Sequence, residues 1–385
     1  MLNYGEPTIS KIQREKVLGI LKKRFITQGK EVEKFEKSLS KKFGCKYSVV
    51  VSSGTAALHL AGKSLGWKKN DMVVCTPITF VASCNSIIYN QASPYFIDID
   101  LKNNNLDMNK LEICLKQFSK KKKRVKAVVI TDLGGSLADW KKLSTLKKIY
   151  NFQIVNDKCH SIGSQFNKEI SYSTKFCEIA TLSFHAVKHI TTGEGGAILT
   201  NNKKMYEKCK LLRSHAIVKS NKNYSWKYEI SELGYNYRLT DFQSILGRYQ
   251  LKELDKKIMI RNQTSKFYNL HFKNLKNITI PQNDLNDINA YHLYILKIDF
   301  KKFKINKDVF FKKAYDLGLK LQQHYIPIYK FKYIKKFCLN KNFNFPNSEI
   351  YNQQSVSLPI HNNLKKRDLI KVVNIIKKIL YKKIK

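Results

Sequence analysis

Tyr47-Ser48-Val49-Val50-Val51-Ser52-Ser53-Gly54-Thr55-Ala56-Ala57-Leu58-His59-Leu60 reads as a short apolar run, a Ser/Gly/Thr turn and the opening of a helix. Residues 48–51 suit a strand buried on both faces, and a helical pattern follows over 56–64. The alternation repeats outward from there. Strand candidates lie at 72–75, 94–99, 125–131 and 152–155, with helices over 82–89, 108–115 and 140–150 between them. This spacing predicts an α/β fold whose mostly parallel central sheet is covered by helices on both faces. Two helical patterns precede it, 10–25 and 31–43, and Gly29 of the connector Thr27-Gln28-Gly29 is expected to stop the first.

Beyond the alternation, 179–184 and 196–200 are further strands, joined through the turn Gly193-Glu194-Gly195-Gly196. Long helical patterns follow, from 239 to 258 and onward. The last third then changes character: a strand at 290–298, a helix near 309–317, a strand near 319–324 and a terminal helix over 368–384. These describe a smaller α+β unit. The expected division is a large domain with its N-terminal helices over 1–255 and a small C-terminal domain over 256–385.

Charge is the outlier. Across 385 residues, 71 Lys+Arg against 29 Asp+Glu give +42, which invites a nucleic-acid or anionic-membrane reading. The lysines are spread over the whole length, however, and no helix-turn-helix, zinc spacing or aromatic-rich RNA motif accompanies them. The densest run, 120–124, lies between two apolar segments and reads as a loop. Nucleic acid and membrane are therefore not expected as partners. The eight cysteines show no C-x-x-C spacing, so neither a metal site nor a disulfide frame is implied. With no signal-peptide order in residues 1–7 and no apolar stretch of membrane-spanning length, the expected setting is reducing and cytoplasmic.

Several polar features fall at predicted strand ends, where open α/β sheets hold ligands. Ser53-Gly54-Thr55 opens a helix, so its N–H groups and helix dipole can hold a phosphate; it is equally ordinary capping chemistry. Asp157 follows the strand at 152–155 and can either face a buried cationic nitrogen or cap a helix, and His160 can be a packed turn residue. The most specific block is Ser183-Phe184-His185-Ala186-Val187-Lys188-His189-Ile190-Thr191-Thr192-Gly193-Glu194-Gly195-Gly196. Lys188 stands just past a strand end, where partial desolvation favours the free amine and attack on a carbonyl to form a Schiff base. A phosphate turn, a strand-end carboxylate and a placed lysine together supply what pyridoxal 5'-phosphate requires: Gly54, Thr55 and Ser183 for the phosphate, Asp157 for the pyridine nitrogen, Lys188 for the aldehyde.

At this point the sequence resembles the sugar aminotransferases of the DegT/DnrJ/EryC1/StrS group, which share the aspartate aminotransferase fold (fold type I). The resemblance covers nearly the whole chain. It includes Thr27-Gln28-Gly29, Ser53-Gly54-Thr55-Ala56-Ala57-Leu58, Thr76-Pro77-Ile78-Thr79-Phe80, Asp157 with His160, the Ser183–Gly196 block, Gly234-Tyr235-Asn236-Tyr237-Arg238-Leu239, His324-Tyr325-Ile326-Pro327 and Ser357-Leu358-Pro359. It implies that Phe80 stacks on the pyridine ring and that His160 lies near the cofactor's phenolic oxygen. Asn236 would reach the phosphate from the neighbouring subunit of a homodimer with shared active sites. Tyr4, Thr27, Gln28, Gly29, Arg238, His324 and Tyr325 match positions that line a nucleotide-sugar pocket, Arg238 either on substrate phosphate or in motif packing.

A related dehydrase branch carries histidine where Lys188 stands, so lysine here implies transamination from glutamate. Within the aminotransferases the Lys188 block, with Arg213-Ser214-His215 downstream, is similar to the branch that aminates the C4 ketone of a UDP-linked 4-keto-6-deoxy-N-acetylhexosamine in pseudaminic acid biosynthesis. Ala186 in place of proline and Ala216 in place of glycine depart from that pattern. A dTDP- or GDP-linked keto sugar, or C3 amination, is the alternative.

Overall fold

The computed structural model describes residues 1–219, 226–340 and 342–381. Elements run in the order α1 (Lys11–Leu21), α2 (Lys30–Phe43), β1 (Tyr47–Val51), α3 (Gly54–Ser64), β2 (Met72–Cys75), α4 (Val81–Tyr89), β3 (Ser93–Phe96), α5 (Met108–Lys120), β4 (Val125–Thr131), α6 (Trp140–Tyr150), β5 (Gln153–Asp157), α7 (Tyr172–Phe176), β6 (Ile179–Ser183), β7 (Gly196–Thr200) and α8 (Lys203–Leu212). There follow β8 (Ile217–Lys219), β9 (Tyr228–Ile230), α9 (Asp241–Lys252), α10 (Leu254–Phe272), β10 (Ile278–Thr279), β11 (Tyr294–Ile298), α11 (Lys307–Asp316), α12 (Lys332–Lys335), α13 (Pro346–Gln354), β12 (Ser355–Leu358) and α14 (Lys366–Tyr381).

Seven strands form the main sheet in the order β1-β7-β6-β5-β4-β2-β3. The pairs from β3 through β6 are parallel; β7 runs antiparallel to both β6 and β1. Successive strand residues alternate faces, and both faces are covered. Val50, Val128 and Ile154 join one core with Phe35, Trp140 and Leu143, while Val49, Val129 and Val155 join the other with Leu58 and Ile87. That double burial is why these strands read as unbroken apolar runs. The register Thr131↔Asp157↔Thr181 sets the carboxyl ends of β4, β5 and β6 side by side.

A second sheet, β10-β11-β12, carries its own core of Tyr268, Tyr294, Leu296, Phe310, Val356 and the buried stripe of α14. Several expected elements differ. The long helical stretch expected from 239 to 258 and onward is two helices, α9 and α10, meeting at Glu253, whose φ −97° and ψ 0° lie outside helical geometry. The strand expected near 319–324 is only two isolated bridges, Leu319 to Leu2 and Gln322 to Ser357, because the N-terminal residues take the backbone pairing: Lys320 donates to the Leu2 carbonyl at 2.9 Å. The strand expected at 290–298 begins at Tyr294, after Tyr291 turns through φ +47°. Helix α1 ends at Leu21, so Gly29 does not stop it. Gly29 instead precedes α2, its N–H donating to Asp241 Oδ2 at 2.7 Å. The part of the expected terminal helix beyond 381 lies outside the described residues.

Candidate active site

The site grows from the carboxyl edge of the main sheet. Asp157, the last residue of β5, is 4% exposed and accepts from Ser83 Oγ of α4 at 2.6 Å and from the Cys159 N–H at 3.3 Å. Its immediate partners are neutral donors. The carboxylate can therefore meet a cationic ring nitrogen without competition.

Beside it, Ser53 caps α3 by accepting from the Ala56 N–H at 3.0 Å, which leaves first-turn N–H groups at Gly54 and Thr55 for an anion. The turn is wedged against the ends of β6 and β7. A Cβ on Gly196 would sit 2.4 Å from the Ser53 carbonyl oxygen and 2.7 Å from Gly54 N; one on Gly54 would sit 2.8 Å from Ser183 Cβ. Only glycines let Ser183 and the α3 N-terminus converge on one spot.

Lys188 lies on the loop between β6 and β7. That loop closes on Phe184, whose carbonyl accepts from Thr192 N–H at 3.0 Å and Thr191 Oγ1 at 3.1 Å, while its N–H donates to Gly195 at 2.8 Å. The amine enters a cavity of about 410 Å³ and lies 3.3 Å from His292 Nε2. Burial pushes its pKa down, opposed by Cys159 and Asp157. A lysine so placed sheds its proton more easily than one in water.

Gly54, Thr55, Phe80, Asp157, His160, Ser183 and Lys188 all line this cavity, as do Tyr4, His324 and Tyr325. Phe80 is 51% exposed, its ring 5.6 Å from that of Tyr325, and so presents a face to the cavity. His160 Nδ1 accepts from the Gly134 N–H at 3.4 Å, which places the imidazole hydrogen on Nε2, donated to the Tyr325 hydroxyl at 3.0 Å. Burial, then Lys188, His324 and His189, push His160 well below its usual pKa. His324 Nδ1 pairs with Ser357 Oγ at 2.8 Å, and its ring packs on Tyr4.

The other sequence-derived residues lie elsewhere on the chain. Gln28, Gly29 and Arg238 line a separate cavity of about 480 Å³. Thr27 bridges Thr240, and exposed Asn236 bridges Ser214. Ala216 adopts φ +54°, a conformation that glycine takes freely and alanine holds at a cost of about 1 kcal/mol. Ser83 and His292 are not legible in the sequence. Ser83 carries no motif signal, and His292 sits inside an ordinary strand pattern.

A converging anion cradle, a buried carboxylate and a desolvated amine at the edge of a mostly parallel sheet fit pyridoxal 5'-phosphate, and with the fold they define an enzyme of fold type I. More narrowly, the chain belongs to the DegT/DnrJ/EryC1/StrS aminotransferase family, whose model matches residues 7–377. It is a sugar aminotransferase that depends on pyridoxal 5'-phosphate.

The UDP-4-amino-4,6-dideoxy-N-acetyl-beta-L-altrosamine transaminase of Campylobacter jejuni subsp. jejuni serotype O:23/36 (strain 81-176) is 35% identical over 370 residues, covering 96% of this chain and 94% of that protein. The spore coat polysaccharide biosynthesis protein SpsC of Bacillus subtilis (strain 168) is 30% identical over 387 residues, covering 98% and 97%. Among solved structures, Helicobacter pylori PseC, an aminotransferase involved in the biosynthesis of pseudoaminic acid, superposes with a TM-score of 0.90 at 30% identity over 98% of this chain and 99% of that one. Among the described residues no helix is long and apolar enough to cross a membrane, and no group of three or more His, Cys, Asp or Glu is placed to hold a metal ion.

Proposed function

We propose that the protein transfers the amino group of glutamate to the C4 ketone of a UDP-linked 4-keto-6-deoxy-N-acetylhexosamine, in the making of a pseudaminic acid-type surface glycan in the cytoplasm. The observation that carries the chemistry is one cavity holding Lys188, Asp157 and the N-terminus of α3. The sugar assignment is supported by the activity named for the Campylobacter relative.

In this reading Gly54, Thr55 and Ser183 hold the cofactor phosphate, Asp157 keeps the pyridine nitrogen protonated, Phe80 covers the ring and His160 lies by the phenolic oxygen. Bound pyridoxal 5'-phosphate supplies an electron sink and carries the amino group from one substrate to the other. Lys188 Nζ takes the proton from the glutamate α-carbon in the first half-reaction and delivers one to C4 of the sugar in the second. As anchor and general base/acid in one, it uses the lowered proton affinity that burial gives it.

The unit is read as a homodimer with shared sites. Asn236 is exposed, and Gln28, Gly29 and Arg238 lie on a cavity apart from Lys188; a second copy would present them, with Thr27, to its neighbour's phosphate and sugar sites. Tyr4, His324 and Tyr325 would line the sugar pocket from the subunit that carries Lys188. Residues 1–255 form the cofactor-binding domain and 256–385 the small domain, a division supported by the separate core around Tyr294 and Val356. The +42 charge would steer a UDP diphosphate toward the cleft.

The test mixes purified protein with glutamate and a panel of UDP-, dTDP- and GDP-keto sugars and identifies products by NMR. The expected product is the C4 amine of the UDP sugar, with Lys188→Ala and Lys188→Arg inactive but folded. Amination of another sugar or at C3 would overturn the substrate. Activity within about tenfold in the Lys188 variants would overturn the mechanism, since acid/base catalysis alone is worth about 10²–10⁴-fold.

A further inference from the structure

His292 belongs to none of the motifs that first pointed to the cavity, yet its Nε2 is the hydrogen-bond partner of Lys188 Nζ among the described residues, at 3.3 Å. The imidazole is 4% exposed, and its Nδ1 has no partner among the described residues. A buried ring nitrogen left idle costs about 1–3 kcal/mol, and a leucine would fill the space without that cost. The position is also held firmly. Arg261 of α10 donates to the carbonyls of Tyr291 and His292 at 3.0 and 3.4 Å, and the ring packs 4.5 Å from His160 and 5.5 Å from His189.

We infer that His292 is a positioning residue for the amino-transfer reaction: its Nε2 accepts a hydrogen bond from the Lys188 ammonium and keeps the amine turned into the cavity while it carries the proton. The inference rests on Lys188 being the reacting amine. A neutral acceptor suits that task, because a carboxylate in its place would form a charge-assisted pair and retain the proton. His292 is kept neutral by burial, reinforced by Lys188, His160, His189 and Arg261. Asp157 and Cys159 at the end of β5 favour the ammonium, while burial opposes it. From the segment between α11 and α12, His324 and Tyr325 face the same cavity, the first held below its ordinary pKa and the second above it by burial.

The experiment is competitive acetylation of the full-length chain without cofactor, using trace acetic anhydride and mass spectrometry of the Lys188 peptide across pH. His292→Leu is expected to lower the Lys188 titration midpoint by about one unit, the worth of a hydrogen bond to a charged donor, while His292→Gln, which keeps an acceptor, stays near the parent. With cofactor bound, kcat should fall about tenfold in His292→Leu and recover in His292→Gln at little-changed KM. Should the leucine variant not fold, His292→Asn, whose amide is too short to reach Nζ, takes its place. Equal midpoints in the folded variant and the parent would overturn the inference, as would a glutamine variant that restores neither readout. Activity surviving in Lys188→Ala would overturn the proposed function instead, so the two failures are separable.

Discussion

Ser83 donates its one hydroxyl hydrogen to Asp157 at 2.6 Å, and that donation sets the direction of a chain of three hydroxyls. Thr79 Oγ1 lies 3.0 Å from Ser83 Oγ and 3.0 Å from Thr131 Oγ1. With its hydrogen spent, Ser83 accepts from Thr79, which accepts from Thr131. The carboxylate is thus aimed from β4 and α4 as well as from its own strand. Ser83→Ala should lower kcat about tenfold, within the range for losing a hydrogen bond to a charged group, and leave KM for glutamate nearly unchanged. Asp157→Asn should cost far more. Steady-state kinetics decide it, and a Ser83→Ala enzyme with unaltered kcat would show that the carboxylate is held without the serine.

Gly196 makes a prediction about cofactor retention rather than turnover. Its missing side chain is the space through which Ser53 and Gly54 approach β7. Gly196→Ala must push the turn outward or bend the strand, and overpacking of this kind costs about 1–3 kcal/mol. If the turn moves, the α3 N–H groups leave the phosphate position. Fluorescence titration should show affinity for pyridoxal 5'-phosphate reduced at least about tenfold. An unchanged Kd would mean that the anion cradle lies elsewhere.

These two cases mark what could be read from residue order. Asp157 and Ser183 were legible because a polar residue ending an apolar run stands out locally, and Gly54 because it opens a helix. Ser83 was not, since its role depends on α4 packing beside β5, a relationship with no local trace. His292 was hidden in the same way, inside a pattern that reads as strand until Tyr291 turns the chain. The misplaced ends have physical causes too. The apolar periodicity continues through Glu253 although the backbone does not, and the bridge from Leu2 that takes up Leu319 comes from the far end of the chain. The residues at 27–29 and 236–238 are legible by resemblance alone, and among the described residues none of them lines the Lys188 cavity.

Lys158 offers a pH test away from the chemistry. Its side chain is wholly buried, with Nζ 3.7 Å from the centre of the Tyr172 ring and no hydrogen-bond acceptor among the described residues. Burial pushes its pKa down to about 7, against attraction to Asp132. Unfolded, the amine titrates near its ordinary value of about 10.5. Between those values the unfolded chain binds the extra proton, so stability rises with pH from about 7 to about 10.5, and the full penalty applies below pH 7. Asp132 keeps donors from Tyr172, Ser161, Trp140 and Ala138 without the lysine. Lys158→Met should therefore be more stable than the parent by about 1–4 kcal/mol near pH 6, and the gap should shrink toward pH 10. Denaturant melts at both pH values check this; a gap that does not change with pH would mean that Lys158 stays protonated in the folded state as in the unfolded one.

The proposed sharing of sites between two copies predicts an outcome that no single-chain reading allows. Asn236 lies outside the Lys188 cavity of its own chain, exposed and bridged to Ser214. If it serves the neighbour's phosphate site, Lys188→Ala and Asn236→Ala each inactivate or cripple their homodimers by damaging different halves of one composite site. In a mixed dimer both lesions fall on the same site, and the other site has an intact lysine and an intact asparagine. Random pairing makes half the dimers mixed, each with one of two sites whole, so co-expressed chains should recover about one quarter of the parent activity. Separately purified variants, mixed without exchange, should recover none. Recovery no greater than the sum of the two homodimers would place Asn236 in its own subunit's structure alone and leave each active site the property of one chain.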